Sequence, residues 1–134
     1  MPPYLVAATV EGILAQRLIR LLCAECSEAY VPEAGDVEAA PPRDEGVPAR
    51  YRRAKGCPSC DNTGYRGRVG IYELLIVTDD IRHLIARDAP LAELRAAAAK
   101  SRMATLNAAA WEAASEGRTS IAEVTRVLGA GVEI

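Results

Sequence analysis

Four cysteines in two identical spacings constrain this 134-residue chain more than any other feature. They fall as "CAEC", Cys23 and Cys26, and as "CPSC", Cys57 and Cys60, with thirty residues between the pairs. A two-residue gap lets both sulfurs of one turn converge on one ion, and two such gaps supply the four tetrahedral thiolates that Zn2+ prefers. A filled sphere leaves no position for an activated water, so such a centre is structural and hydrolyses nothing by itself. Two disulfides, a redox Cys-x-x-Cys and an iron–sulfur cluster are the competing readings. The start, "MPPYLVAATVEG", lacks a basic region followed by an apolar core and a small-residue cleavage site, so the expected compartment is the cytoplasm, where disulfides are disfavoured. A redox motif has no need of a second matching pair. Spacing alone leaves iron open, because tetrathiolate sites also suit it.

The residues around the second pair fit a metal turn. "GCPSCDNTGYRGRVGIYELL", Gly56 to Leu75, carries four of the ten glycines, and Gly64 and Gly67 are expected at positive φ where the backbone folds back towards the ion. Residues 31–49, rich in Pro, Gly, Ala and acids, have little to bury and read as a mobile loop whose closure entropy a metal at its ends would offset. Charge is uneven despite a net value of -2. Pro32 to Pro48 hold five acids against Arg43, whereas Arg50, Arg52, Arg53, Lys55, Arg66 and Arg68 follow against Asp61 alone. The segment beside the second pair is locally basic, which suits either a solvated face or a partner-binding patch.

Periodicity predicts a mainly α fold with a small zinc-binding β element: an N-terminal helix, a tetracysteine zinc module and a C-terminal helical bundle. Ile13, Leu14, Leu18, Leu21 and Leu22 recur at helical spacing, so Tyr4 to Leu22 reads as a helix that delivers Cys23 directly. "VGIYELLIV", Val69 to Val77, reads as a strand or extended segment. Thr78 is a natural N-cap for a helix to about Arg87 with Ile81, Leu84 and Ile85 inward, and Pro90 suits the first turn of the next. A further helix from about Thr105 should end at Gly117, and the last opens with the capping-box spacing Ser120 to Glu123 and stops at Gly129. The expected segments are thus 1–22, the module 23–77, the bundle 78–129 and a tail 130–134. Leu91, Leu94, Met103, Leu106, Trp111, Ile121, Val124 and Leu128 are the expected core of the bundle. His83, the one histidine, sits among arginines on a helix face, so neither a Ser/His/Asp constellation nor a histidine metal site is expected.

Taken together, "LVAATVEGILAQRLIRLLCAEC", "GCPSCDNTGYRGRVGIYELL" and "RMATLNAAAWEAASEGRTSIAEVTRVL" resemble the C-terminal part of the type II secretion and type IV pilus assembly ATPases. The resemblance covers nearly the whole chain; Ala24 departs from it, standing where the family usually has proline. It implies a hexameric motor, peripheral to the cytoplasmic side of the inner membrane, that couples ATP hydrolysis to pseudopilus or pilus assembly. It also implies that residues 1–22 are a remnant of the ATPase core, in which Arg17 would help shape a nucleotide-facing surface. Arg66 and Arg68 would contact partners: the ATPase core of the same subunit, neighbouring subunits, or inner-membrane platform proteins. The chain has no Gly-x4-Gly-Lys-Ser/Thr loop and no acidic Walker B segment, so ATP and Mg2+ belong to a longer parent and this chain is expected to be its noncatalytic part, either a truncated reading frame or an excised domain.

A zinc-ribbon nucleic-acid binder is the alternative that the basic cluster raises. With no phenylalanine and only Tyr51 and Tyr65 beside the arginines, base stacking has little to work with, and no nucleic-acid partner is expected. A chaperone-type zinc domain fits less well, since Asn62 stands where its repeat requires glycine.

Overall fold

The stretch from Tyr4 to Leu22 carries apolar residues at helical spacing, yet only its first part is helical. In this computed structural model, which describes residues 1–43, 46–101 and 103–129, helix α1 spans Pro3–Thr9 and strand β1 spans Gly12–Leu22. The helix expected to reach Leu22 is therefore corrected: a strand delivers Cys23. Its partner lies fifty residues further on, in strand β4, Tyr65–Ile76, which bears out the extended reading of Val69 to Val77. Val77 N–H donates to Glu11 O at 3.0 Å at one end of the ladder and Cys23 N–H to Gly64 O at 2.9 Å at the other, so the two strands run antiparallel. Ile13, Leu14 and Leu18, the supposed inner face of a helix, are exposed, and Ile19 is the fully buried residue. Ladder pairing overrode the helical period because it comes from a segment that no local window contains. A second, two-residue ribbon pairs β2, Glu28–Ala29, with β3, Arg52–Arg53, antiparallel in the register Glu28 to Arg53. The fold is mixed α/β, with helices α2 at Asp79–Ala86, α3 at Leu91–Lys100, α4 at Leu106–Ser115 and α5 at Ile121–Leu128. The expected tail, 130–134, lies outside the described residues.

Two compact units emerge. The first comprises residues 1–15 and 72–105. In it α1 and α3 both pack on α2, around Ala7, Val77, Ile81 and Ala98. Thr78 caps α2 as expected, its hydroxyl accepting from Ile81 N–H at 3.4 Å. The Arg82 guanidinium donates to Ala7 O and reaches Val10 O, meeting carbonyls that α1 leaves free at its C-terminal end. Leu91 is 60% exposed and Leu94 half-buried, so α3 contributes Ala98 to this core in place of its leucines. The four expected C-terminal helices exist, but α2 and α3 belong to this unit and α4 and α5 to the other.

The second unit comprises residues 16–71 and 106 onwards. Its core contains Ile19, Leu22, Ile71, Leu106, Ala110, Trp111, Ile121, Val124 and Leu128, which bears out Trp111 and four of its expected neighbours; Met103 is only half-buried. A polar clasp joins α5 and its lead-in to the end of β1. Leu22 N–H donates to Arg118 O at 2.9 Å and the Thr119 hydroxyl to Arg20 O at 2.7 Å. Glu123, with no solvent exposure, accepts from Arg20 N–H at 2.7 Å, from the Arg20 guanidinium at 3.0 and 3.2 Å and from Arg126 at 2.6 and 2.9 Å. Ser120 caps α5 by accepting from Glu123 N–H at 3.0 Å, but the return half of the expected capping box is not made, because the Glu123 carboxylate is committed to arginine.

Burial pushes the Glu123 carboxyl up, while hydrogen bonds from Arg126 and Arg20 more than offset this and draw it down to about 2. A carboxyl depressed in the folded state stabilises above its unfolded value of 4.5 and loses that contribution as pH falls towards 2. Acid unfolding followed by circular dichroism should thus show Glu123→Gln losing less stability than the parent between those limits. At pH 7 the same variant should be less stable by on the order of 2 kcal/mol, a figure reduced because both guanidiniums face solvent.

Candidate metal centre

The cysteine pairs, thirty residues apart in sequence, converge because both are tied to the ends of the β1–β4 ribbon. Cys23 follows β1 directly and is hydrogen-bonded to Gly64, the residue just before β4. Ser27 N–H donates to Cys23 O at 3.0 Å, which turns the chain so that Cys26 comes back beside Cys23. The second pair spans a single 3-10 turn, Pro58–Cys60, in which Cys60 N–H donates to Cys57 O at 3.2 Å. The ribbon of β2 and β3, with Tyr30 N–H donating to Tyr51 O at 3.3 Å, closes the neck of the intervening loop. The loop itself contains one 3-10 turn, Ala34–Val37.

All four sulfurs lie within 4.8 Å of one another. Cys23 to Cys57 and Cys26 to Cys60 are both 3.8 Å apart, and Cys57 to Cys60 is 3.7 Å. A tetrahedron with metal–sulfur bonds of about 2.3 Å has edges of about 3.8 Å, so this donor set fits a tetracoordinate soft cation. The cysteines are unbridged, which sets aside the disulfide reading for this conformation. Backbone amides supply the compensating dipoles: Gly56 N–H points to the Cys26 sulfur at 3.3 Å, while Cys57 and Gly64 N–H point to the Cys60 sulfur at 3.3 and 3.2 Å. Desolvation raises the Cys60 thiol, but the amides of Cys57 and Gly64 outweigh it and draw the group down to about 6. At Cys26 the Gly56 amide pulls the other way from burial and the three neighbouring thiols, which together push it up to about 11.

Gly64 is indispensable to this arrangement. Its φ is +84°, and a Cβ there would lie 2.5 Å from Ala54 Cβ. Gly67 also has φ +84°, as the sequence suggested, but it lies within β4 and its neighbourhood is open.

The basic cluster divides on inspection. The Arg52 guanidinium donates to the hydroxyl and carbonyl of Ser27, and Arg53 and Lys55 both pair with Glu28, so three of its six cations serve the ribbon beside the cysteines. Arg53 also lies over the Tyr30 ring at 5.5 Å. Arg17 on β1 and Arg66 and Arg68 on β4 are exposed and make no ion pair among the described residues. His83 is exposed on α2, in the unit that does not hold the cysteine cluster. Sequence reasoning gave Glu123 only a capping role and Arg20 none, yet together they hold the strand end that carries Cys23. Arg20 also stacks on the Tyr65 ring at 4.1 Å, whose hydroxyl meets Ser120 at 2.6 Å.

Four thiols at tetrahedral spacing, cradled by backbone amides beside the strand ends, form a tetracysteine cluster whose donor set suits a metal ion. The lineage is equally plain: the chain belongs to the family described as type II/IV secretion system protein, whose pattern matches residues 1–126. Among curated relatives it is 38% identical to the type II secretion system protein E of Pseudomonas aeruginosa over 126 residues, which is 93% of this chain and 24% of that protein. It is 36% identical to the type IV pilus assembly ATPase TfpB of Acinetobacter baylyi, over 94% of this chain and 22% of the relative. With the type IV pilus assembly ATPase PilB of Thermus thermophilus the identity is 33%, over 91% and 14% respectively. The chain therefore spans about a quarter or less of the length of these relatives.

Two measurements check the centre. Gly64→Ala should destabilise the protein by about 3 kcal/mol in denaturant unfolding, combining backbone strain with overpacking against Ala54. A strong chelator should abolish the cooperative thermal transition of the cysteine-bearing unit, since the ion in such sites contributes on the order of 10 kcal/mol, and one equivalent of Zn2+ should restore it.

Proposed function

We propose that this chain is the noncatalytic, zinc-bearing C-terminal module of a type II secretion or type IV pilus assembly ATPase. The observation that carries the reading is the coincidence of two facts: the family pattern fills residues 1–126, and those residues amount to under a quarter of proteins whose names describe secretion and pilus motors. Cys23, Cys26, Cys57 and Cys60 would hold the ion. When bound it supplies only a crosslink and charge neutralisation, because four thiolates complete its sphere and leave no site for water or substrate. The nearby amides of Gly56, Cys57 and Gly64 orient the sulfurs, and the ribbon Glu28–Ala29 with Arg52–Arg53 keeps the ligand turns in register.

In the assembled motor the module packs against the ATPase core of its own subunit and against neighbours in a hexamer. Arg17 is the candidate to face nucleotide, and Arg66 and Arg68 are the candidates to contact the inner-membrane platform, being exposed and uncommitted among the described residues. Among those residues no helix is long and apolar enough to cross a membrane. Energy coupling requires the phosphate-binding loop that this chain lacks, so ATP hydrolysis belongs to the longer protein.

The test is a chimera in which this chain replaces the matching C-terminal part of the P. aeruginosa type II secretion system protein E. The purified chain should release no phosphate from ATP, while the chimera should fold, carry one zinc per subunit by elemental analysis and hydrolyse ATP. Arg66→Glu with Arg68→Glu should weaken its capture by the inner-membrane platform at least tenfold. Hydrolysis by the chain alone, or iron in place of zinc, would contradict the assignment.

A further inference from the structure

Among the described residues two glutamates are buried, and they could hardly be treated more differently. Glu123 is saturated by two guanidiniums and a main-chain N–H. Glu73, only 7% exposed on β4, has its Oε1 fully buried with no hydrogen-bond partner. Its strand surroundings are inverted relative to the usual pattern. Tyr72, Leu74 and Ile76, on the opposite face, are exposed, whereas Glu73 points the same way as the half-buried Leu75 and the buried Val77. A buried carboxyl oxygen left without a hydrogen-bond partner is destabilising unless something comes to meet it.

Nothing described in its own unit does so. Arg82 is occupied by Ala7 O, Val10 O and Glu11, and Arg87 is paired with Glu93. Arg95 and Lys100 are exposed on α3. The curated relatives, by contrast, contain roughly four times this length of chain or more. We infer that Glu73 is the acceptor for an arginine guanidinium contributed by the part of the longer secretion or pilus protein that lies outside this chain, and that this buried pair fixes the module on its motor. Guanidinium is the fitting donor because it is planar, weakly hydrated and matches a carboxylate with two parallel N–H bonds. The inference rests on the proposed membership in a longer motor.

Thermal melting in two backgrounds tests it. In this chain by itself Glu73→Met should raise the midpoint by about 3 °C and Glu73→Gln should not lower it, since each removes the unmatched carboxyl. In the chimera with the P. aeruginosa protein both substitutions should lower the midpoint by a few degrees, Met more than Gln, because each strands a buried guanidinium. This reversal of sign between backgrounds is the signature, and a purely structural glutamate would not show it. A lower midpoint for Glu73→Met in the chain alone, or a higher one in the chimera, overturns the inference. If the unsubstituted chimera does not fold, the proposed function itself fails, which is a separate and recognisable result.

Discussion

A carboxylate with no access to solvent, Glu123, holds the last helix and the end of strand β1 as one body. Through it, α5 fixes the main chain at Arg20, and the neighbouring bonds from Arg118 and Thr119 fix Leu22 and Arg20 again. Cys23 follows immediately, so the position of the first cysteine of the cluster is set by a helix about one hundred residues away. Burial of a charge is tolerated here because every lone pair that matters meets a cation or an N–H. The same interaction explains why α5 starts with only half a capping box: the glutamate that would complete it has stronger partners.

The cysteine cluster is built on that anchored end. Three of its sulfur separations fall at the edge length of a metal–thiolate tetrahedron, and amides already point at two of the sulfurs. The turns are therefore shaped largely by the backbone, with Gly64 allowing the approach of Ala54 and the β2–β3 ribbon holding the loop's neck. A cation would remove the mutual repulsion of four thiolates and lock turns that already have the right shape.

The distribution of charge follows from the same architecture. What reads in sequence as a basic patch consists in good part of ribbon contacts, with Ser27 and Glu28 occupying Arg52, Arg53 and Lys55. The residues left over, Arg50, Arg66 and Arg68, are exposed.

The sequence alone determined the cysteine pairing, the positive φ at Gly64 and Gly67, the caps at Thr78 and Ser120, and the family, because each depends on residue type at short spacing. Tertiary structure alone decided that Gly12 to Leu22 is a strand, that Leu91 is exposed, that the four C-terminal helices divide between two units, and that Glu123 and Glu73 are buried with opposite fates. The physical reason is range. A cap or a Cys-x2-Cys turn is settled within a few residues, whereas strand pairing and the burial of a carboxylate depend on groups fifty to one hundred positions away that no local pattern records.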